Sequence, residues 1–172
     1  MGETVVTLDD LLRPGLLAVV VGINPAPPSV AAGHYWQGRT GQALWRRLRS
    51  VGLLPARFDG YEDDAALAAG LGFTDVVKRP TRSATDLRPN ELEHGRVVLE
   101  AKLAAAAVPL VIFAFKKAAT ALFGPFPGNG FIGERIGPAE VFVMPGPYQA
   151  AASADATLVK LRRWVEEHPP TP

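Results

Sequence analysis

The sequence contains no cysteine among its 172 residues. Disulfide bonds, thiol catalysis and cysteine-ligated iron–sulfur clusters are therefore excluded. Only three histidines are present, His34, His94 and His168, and they are far apart without the spacing of metal ligands. We therefore predict a protein that uses neither a metal nor a cofactor.

Long apolar runs are also missing, since none approaches the roughly 18–20 residues needed to span a bilayer. The first residues, Met-Gly-Glu-Thr, lack the basic and apolar regions of a signal peptide. We expect a cytoplasmic protein without a membrane partner. The formal net charge of +1 neither requires nor forbids a nucleic-acid partner, so DNA binding would need a local basic patch.

The composition is that of a globular chain, because 48% of the residues are hydrophobic and only 20% are charged. The length fits a single domain over residues 1–172 with a sizeable core. We expect about residues 1–7 and 169–172 to be frayed, the latter because the chain ends in Pro-Pro-Thr-Pro.

The stretch that organises the chain is residues 16–28, a Val-rich apolar run that stops at Gly-Ile-Asn-Pro. A short continuous apolar run bounded by turn residues is typical of a strand buried on both faces of a parallel sheet. Asn24 lies just beyond this strand, where open α/β sheets bind ligands. The alternative is that Asn24 only caps a turn, since Asn-Pro is a common turn dipeptide.

Strands alternate with helices along the rest of the chain. This order predicts an α/β fold, a three-layer α/β/α sandwich with a mostly parallel central sheet. The segment at residues 70–77 is ambiguous between a short strand and an extended segment, and residues 26–41 form a long loop of the kind that is usually functional. We expect strands at 17–21, 109–115 and 140–144. We expect helices at 8–12, 41–51, 63–69 and 89–107. Two further helices are expected, one that starts at Lys116 and one that Ser153 caps at its N-terminus.

Three loops follow the carboxyl ends of the buried strands, beginning at Asn24, Lys116 and Pro145. In a parallel sheet such loops converge on one edge. We therefore expect the functional site there.

At these positions the sequence resembles the mismatch-specific uracil/thymine-DNA glycosylases of the uracil-DNA glycosylase superfamily. The resemblance covers roughly residues 19–150 in the family's order. It is carried by residues 22–25 (Gly-Ile-Asn-Pro), 33–36 (Gly-His-Tyr-Trp), 44–45, 72–81 (Gly-Phe-Thr-Asp-Val-Val-Lys-Arg-Pro-Thr) and 91–95, the strand ending at Lys116, and 144–145.

The resemblance implies a pocket for a base flipped out of DNA. Either Tyr35 or Trp36 could supply its aromatic face. Trp36 is favoured because its distance from Asn24 equals the family's spacing to its stacking aromatic, and the alternative is that both aromatics are core residues. We assign the base pocket to Gly22, Ile23, Tyr35, Trp36 and Phe73.

Two residues are candidates for catalysis. Asn24 has no basic nitrogen, but the family implies that it orients a water against the sugar C1′. Asp75 departs from the amide or lysine of familiar members, and a carboxylate there could activate the water or stabilise a cationic sugar. The alternative is that Asp75 is a turn cap, and we favour Asp75 as the stronger contributor.

Lys116 combines a strand end with a helix start, which makes a natural phosphate site. Arg39 and Lys78 extend this predicted basic track, together with Arg79 and Arg82. The last motif departs most from the family, since it reads Pro-Gly-Pro-Tyr-Gln at residues 145–149 with no histidine. We assign DNA contacts there to Gly146, Tyr148 and Gln149, and either Tyr148 or Gln149 could fill the space left by the flipped nucleotide.

The sequence therefore predicts a monomeric, nucleoid-associated DNA repair enzyme. It would remove uracil, or another deaminated or mismatched base, from DNA and leave an abasic site. One alternative is a protein of the same fold that binds damaged bases with little turnover, because its last motif is altered. Another is an unrelated nucleotide-binding α/β protein, although the chain lacks a Gly-rich phosphate loop with Lys-Ser/Thr.

Overall fold

The computed structural model describes residues 4–169, within which five strands form one sheet. The strands are β1 (Ala18–Gly22), β2 (Leu71–Asp75), β3 (Leu110–Phe113), β4 (Gly130–Ile136) and β5 (Ala139–Val143). Their order is β2-β1-β3-β5-β4, and only the β4–β5 pair is antiparallel. Of the termini predicted to be frayed, residues 1–3 and 170–172 lie outside the described residues. Residues 4–7 and 169 are described, and the Thr7 hydroxyl donates to the carbonyl oxygen of Lys78.

Helices cover both faces of this sheet. They are α1 (Pro27–Ala32), α2 (Arg39–Ser50), α3 (Glu62–Ala68), α4 (Pro89–Ala106), α5 (Lys116–Phe123) and α6 (Ala151–Glu167), with a 3-10 turn at Ala84–Asp86. Apolar residues of α2 and α6 pack on one face, and those of α4 and α5 pack on the other. No helix in residues 4–169 is long and apolar enough to cross a membrane.

Strand β1 shows why the sheet lies in the middle layer. Ala18 and Val20 join the core beneath α2 and α6, whereas Val19 and Val21 join the core beneath α4 and α5. All four side chains are fully buried. Successive side chains of a strand point to opposite faces, so a strand in a sheet covered on both sides needs an unbroken apolar run. The predicted three-layer α/β fold is confirmed.

The predicted helix at residues 8–12 is wrong. This segment is extended, and Leu11 exchanges two backbone hydrogen bonds with Phe73, at 2.9 and 3.0 Å. Strand β2 lies at one edge of the sheet, so its unpaired backbone groups gain partners from this segment.

Two further expectations differ from the structure. The loop at residues 26–41 contains helix α1, because Pro27 and Pro28 occupy its first turn, where a missing N–H costs no helical hydrogen bond. Ser153 is not the cap of α6, which begins at Ala151. The Ser153 hydroxyl instead accepts a hydrogen bond from Nε2 of Gln149 at 2.8 Å.

Helix α4 packs its backbone directly against the segment that follows β2, at Gly95. A Cβ atom on Gly95 would lie 2.2 Å from the carbonyl oxygen of Val76. We predict that Gly95→Ala lowers the free energy of unfolding by about 1–3 kcal/mol, because the overpacking outweighs the better helix propensity of alanine. Urea denaturation would measure the loss.

The control is Val97→Ala, at an exposed position of the same helix, which should change the free energy by less than about 0.5 kcal/mol. Equal stability of the Gly95→Ala variant and the wild type would contradict the close packing.

Candidate functional site

A cleft of about 970 Å³ opens at the carboxyl edge of the sheet. Strands β1, β2 and β3 run parallel, so the segments that follow them meet at this edge. The cleft is lined by residues of the loop after β1, the Tyr35–Gly41 stretch, the 81–84 loop, Asp75 and Phe115. Asn24, Asp75 and Trp36, predicted from separate parts of the sequence, therefore share one cavity.

The side-chain amide of Asn24 is held in one orientation. Its Nδ2 donates to the hydroxyl of Thr81 at 2.8 Å and to the carbonyl oxygen of Arg79 at 3.0 Å. Among the described residues, Oδ1 of Asn24 has no hydrogen-bond partner. Asn24 thus presents an acceptor to the cleft, and its donors face the protein.

Asp75 ends β2 and is 4% exposed. Its partner in the ladder is Gly22, and a Cβ atom on Gly22 would lie 2.3 Å from Oδ1 of Asp75 and 3.1 Å from the Trp36 ring. Only glycine at this position leaves room for the carboxylate beside the indole. Oδ2 of Asp75 is buried and has no hydrogen-bond partner within residues 4–169.

Burial raises the pKa of the Asp75 carboxyl to about 7, because desolvation penalises the charged form. The ammonium groups of Lys78 and Lys102 act in the opposite direction and lower this pKa, whereas the charge of Asp10 raises it. A carboxyl group with a pKa near neutrality is suited to proton transfer at neutral pH.

Trp36 has a backbone conformation that is rare for a residue with a side chain, with φ at +58°. Its carbonyl oxygen accepts a hydrogen bond from Nε1 of Trp45 at 3.3 Å, and a Cβ atom on Gly41 would lie 1.6 Å from that oxygen. The indole is half-buried and lies 5.5 Å from the Phe115 ring between centroids. This geometry places one aromatic wall in the cleft.

The other residues predicted for the base pocket are placed differently. Ile23 lines the cleft, and Gly22 lies beneath it against Asp75. Tyr35 reaches the cleft but is only 3% exposed, and its hydroxyl donates to the carbonyl oxygen of Asp9 at 3.0 Å. Phe73 is fully buried and stacks on Tyr35 at 5.5 Å, so it supports the cleft from the core and does not line it.

Lys78, predicted as a DNA contact, is engaged inside the protein. Its Nζ donates to Oδ1 of Asp10 at 2.9 Å and to the Tyr35 hydroxyl at 3.1 Å. Asp10 also accepts a hydrogen bond from Lys102 at 2.5 Å. The prediction did not anticipate this ion cluster, because Asp10 is distant in sequence and the N-terminal segment must fold back to deliver it.

The other predicted DNA contacts lie at or near the surface. Arg39 is exposed on the cleft wall, and Lys116 is exposed at the start of α5, with its Nζ 5.5 Å from the centre of the Phe126 ring. Tyr148 is 98% exposed. The carbonyl oxygen of Gly146 accepts a hydrogen bond from Arg47 at 2.9 Å.

The side chain of Gln149 is hydrogen-bonded to two neighbouring side chains. Its Oε1 accepts a hydrogen bond from Asn129 at 2.6 Å, and its Nε2 contacts Ser153. None of Gly146, Tyr148 and Gln149 lines the cleft as the described residues form it.

Thr81 is a site residue to which the sequence analysis gave no role. Its hydroxyl holds the Asn24 amide and donates to the carbonyl oxygen of Ser83 at 2.6 Å. The sequence does show a threonine shortly after β2, a strand that ends at the edge of the sheet where the cleft lies. It does not show which side chain the threonine hydroxyl contacts.

One cluster has the composition of a metal site, formed by His34, Asp63 and Asp64. Asp63 already uses both carboxylate oxygens, because Oδ1 accepts from His34 at 2.9 Å and Oδ2 accepts from the backbone N–H of Tyr35 at 2.8 Å. Oδ1 also accepts from the N–H of Asp64 at 3.0 Å. These contacts fix the chain before Trp36, and we assign the cluster a structural role.

The raised pKa of Asp75 predicts a pH-dependent cost to folding. The unfolded carboxyl titrates near 3.8 and the folded one near 7, so the wild type loses stability as pH rises through this range. Asp75→Asn removes this titration. Relative to the wild type, the variant should therefore gain on the order of a few kcal/mol between about pH 4 and pH 8.

Urea denaturation across this pH range would measure the difference, with the exposed Asp59→Asn variant as the control. Parallel stability curves for the wild type and Asp75→Asn would show that the buried carboxyl does not titrate abnormally.

Comparison with known proteins identifies the family of this chain. The chain is 34% identical over 88 residues to a protein of Schizosaccharomyces pombe named G/U mismatch-specific uracil DNA glycosylase. This match covers 50% of the chain and 27% of the relative, so the chain spans about a quarter of that relative's length. Residues 10–167 match the profile of the family described as Uracil DNA glycosylase superfamily. The matched range includes the whole sheet and every cleft residue after Leu8, and the chain belongs to the uracil DNA glycosylase superfamily.

Proposed function

We propose that this chain is a DNA glycosylase that hydrolyses the N-glycosidic bond of uracil flipped out of DNA and leaves an abasic site. The observation that carries the proposal is the shared cleft, in which the acceptor oxygen of Asn24, the buried carboxyl of Asp75 and the Trp36 ring lie together. Family membership and the name of the S. pombe relative support the same reaction class.

The proposed reaction needs a water, a base and a place for the nucleobase. The nucleobase stacks on Trp36, and Oδ1 of Asn24 accepts a hydrogen bond from the water and aims it at C1′ of the sugar. The water oxygen attacks C1′ as the N-glycosidic bond breaks and its electron pair leaves with the nucleobase. Asp75, when ionised, takes the proton of the water.

Binding of the DNA backbone is proposed for the exposed cations around the cleft. Lys116 lies at the first turn of α5, where backbone N–H groups and the helix dipole favour a phosphate, and Arg39 lies on the cleft wall. The ammonium group of Lys78, which the sequence also predicted to contact DNA, is hydrogen-bonded to Asp10 and to the Tyr35 hydroxyl.

The direct test uses purified protein and oligonucleotides with uracil opposite guanine, uracil opposite adenine, or unpaired uracil. Alkaline strand cleavage reports the abasic site. Cleavage of at least one uracil substrate, without cleavage of the matched thymine control, supports the proposal. Tight binding without cleavage of any of them would favour a damaged-base-binding protein, the alternative suggested by the altered last motif.

The roles of Asn24 and Asp75 can be separated by their pH dependence. If Asp75 is the base, the wild-type single-turnover rate should rise with pH through about 7, as the carboxyl ionises. Asp75→Asn should lose this limb and about 10²–10⁴-fold in rate. Asn24→Ala should keep the limb and lose less. A limb that survives unchanged in Asp75→Asn would assign the proton chemistry elsewhere.

The stacking role of Trp36 can be measured without turnover, in the Asp75→Asn background. Adding Trp36→Ala should weaken binding to uracil-containing DNA by about 1–3 kcal/mol more than binding to the same DNA with an abasic site, because only the former offers a base to stack. Fluorescence anisotropy would measure both affinities. Equal losses on the two DNAs would mean that Trp36 only supports the fold.

A further inference from the structure

The two donor hydrogens of the Asn24 amide are both used by the segment that follows β2. One points to the Thr81 hydroxyl at 2.8 Å and the other to the carbonyl oxygen of Arg79 at 3.0 Å. Turning the amide over would place Oδ1 against the Arg79 carbonyl, which is also an acceptor. The carbonyl contact therefore opposes a flipped amide, as does a longer contact of Nδ2 with the carbonyl oxygen of Pro25 at 3.4 Å.

The Thr81 hydroxyl is set to accept from Asn24. A hydroxyl has one proton to donate, and the proton of Thr81 goes to the carbonyl oxygen of Ser83 at 2.6 Å. Only the lone pairs remain for Asn24, so the hydroxyl pairs with Nδ2 and not with Oδ1. The chain of bonds from Asn24 through Thr81 to Ser83 therefore has a fixed polarity.

The segment that carries Thr81 is itself anchored at two points. The backbone N–H of Thr81 donates to the carbonyl oxygen of Pro25 at 3.2 Å, which joins it to the loop that carries Asn24. The guanidinium of Arg79 forms a two-pronged ion pair with Glu91, at 2.5 and 2.8 Å. These hydrogen bonds lower the pKa of Glu91 to about 2, so both groups of the ion pair stay charged near neutral pH.

We propose that Thr81 is a positioning residue that holds the Asn24 amide with Oδ1 toward the cleft and thereby fixes the attacking water. This inference rests on the proposed glycosylase function and adds a residue that acts only through Asn24. Thr81 is 9% exposed, and its hydroxyl is hydrogen-bonded to both Asn24 and the carbonyl oxygen of Ser83. Misplacement of a reacting group by about 1 Å can cost about 100-fold in rate.

The first test compares Thr81→Val, which keeps the shape and removes the hydroxyl, with Thr81→Ser, which keeps the hydroxyl. On uracil-containing DNA, Thr81→Val should lower the single-turnover rate about 10- to 100-fold, with binding changed less than about twofold. Thr81→Ser should restore most of the rate. Thr85→Val is the matched control, because Thr85 lies in the same segment and contacts Ser83 but not Asn24.

The second test asks whether Thr81 acts through Asn24. Adding Thr81→Val to Asn24→Ala should cause no further loss of rate, whereas independent roles would multiply the two losses. Multiplied losses, failure of Thr81→Ser to restore the rate, or a Thr81→Val variant as fast as the wild type would overturn the proposal.

A readout that needs no activity separates this proposal from the glycosylase function. In 15N-labelled protein, the side-chain NH₂ signals of Asn24, assigned by their loss in Asn24→Ala, should exchange with solvent slowly in the wild type and about tenfold or more faster in Thr81→Val. A wild type that cleaves no substrate yet shows this protection would refute the activity and keep the hydrogen-bond role. Equally fast exchange in both proteins would refute the hydrogen-bond role itself.

Discussion

The parallel pairing of β1 with β2 is the constraint on which the site depends. It sets Gly22 opposite Asp75, and the backbone pairing continues past the strands, with Val76 and Val77 donating to the carbonyl oxygens of Gly22 and Ile23 at 2.9 Å. A shift of one residue would turn Asp75 to the other face of the sheet. The same continuation brings the segment after β2 alongside Asn24, where it fixes the amide.

This arrangement opposes stability. A buried carboxyl with an unpartnered oxygen lowers the stability of the fold at neutral pH, since its ionised form is poorly solvated. The apolar clusters on both faces of the central strands offset this loss of stability. The ion cluster around Asp10 lies close enough to moderate the pKa of Asp75 without forming a hydrogen bond to it.

Sequence patterns succeed here where the physical signal is local. The Val run of β1 and its abrupt end predict a buried strand and the position of Asn24, and both agree with the structure. Lys78 shows what such patterns miss, because the sequence of a basic loop does not reveal which group its lysine contacts within the fold. Its partner, Asp10, is 68 residues away, and the segment that carries it was itself predicted to be a helix.

By itself the sequence determined the layered α/β fold, the edge of the sheet at which the cleft lies, and the family. Those features follow from hydrophobic periodicity and turn residues, which act over a few positions. Only the tertiary structure decided which side chains meet: the contact of Asp75 with Gly22, the hydrogen bond from Asn24 to Thr81, and the enclosure of Phe73 within the core. The physical reason is that burial and hydrogen-bond partners depend on strand register and long-range packing, which no single segment encodes.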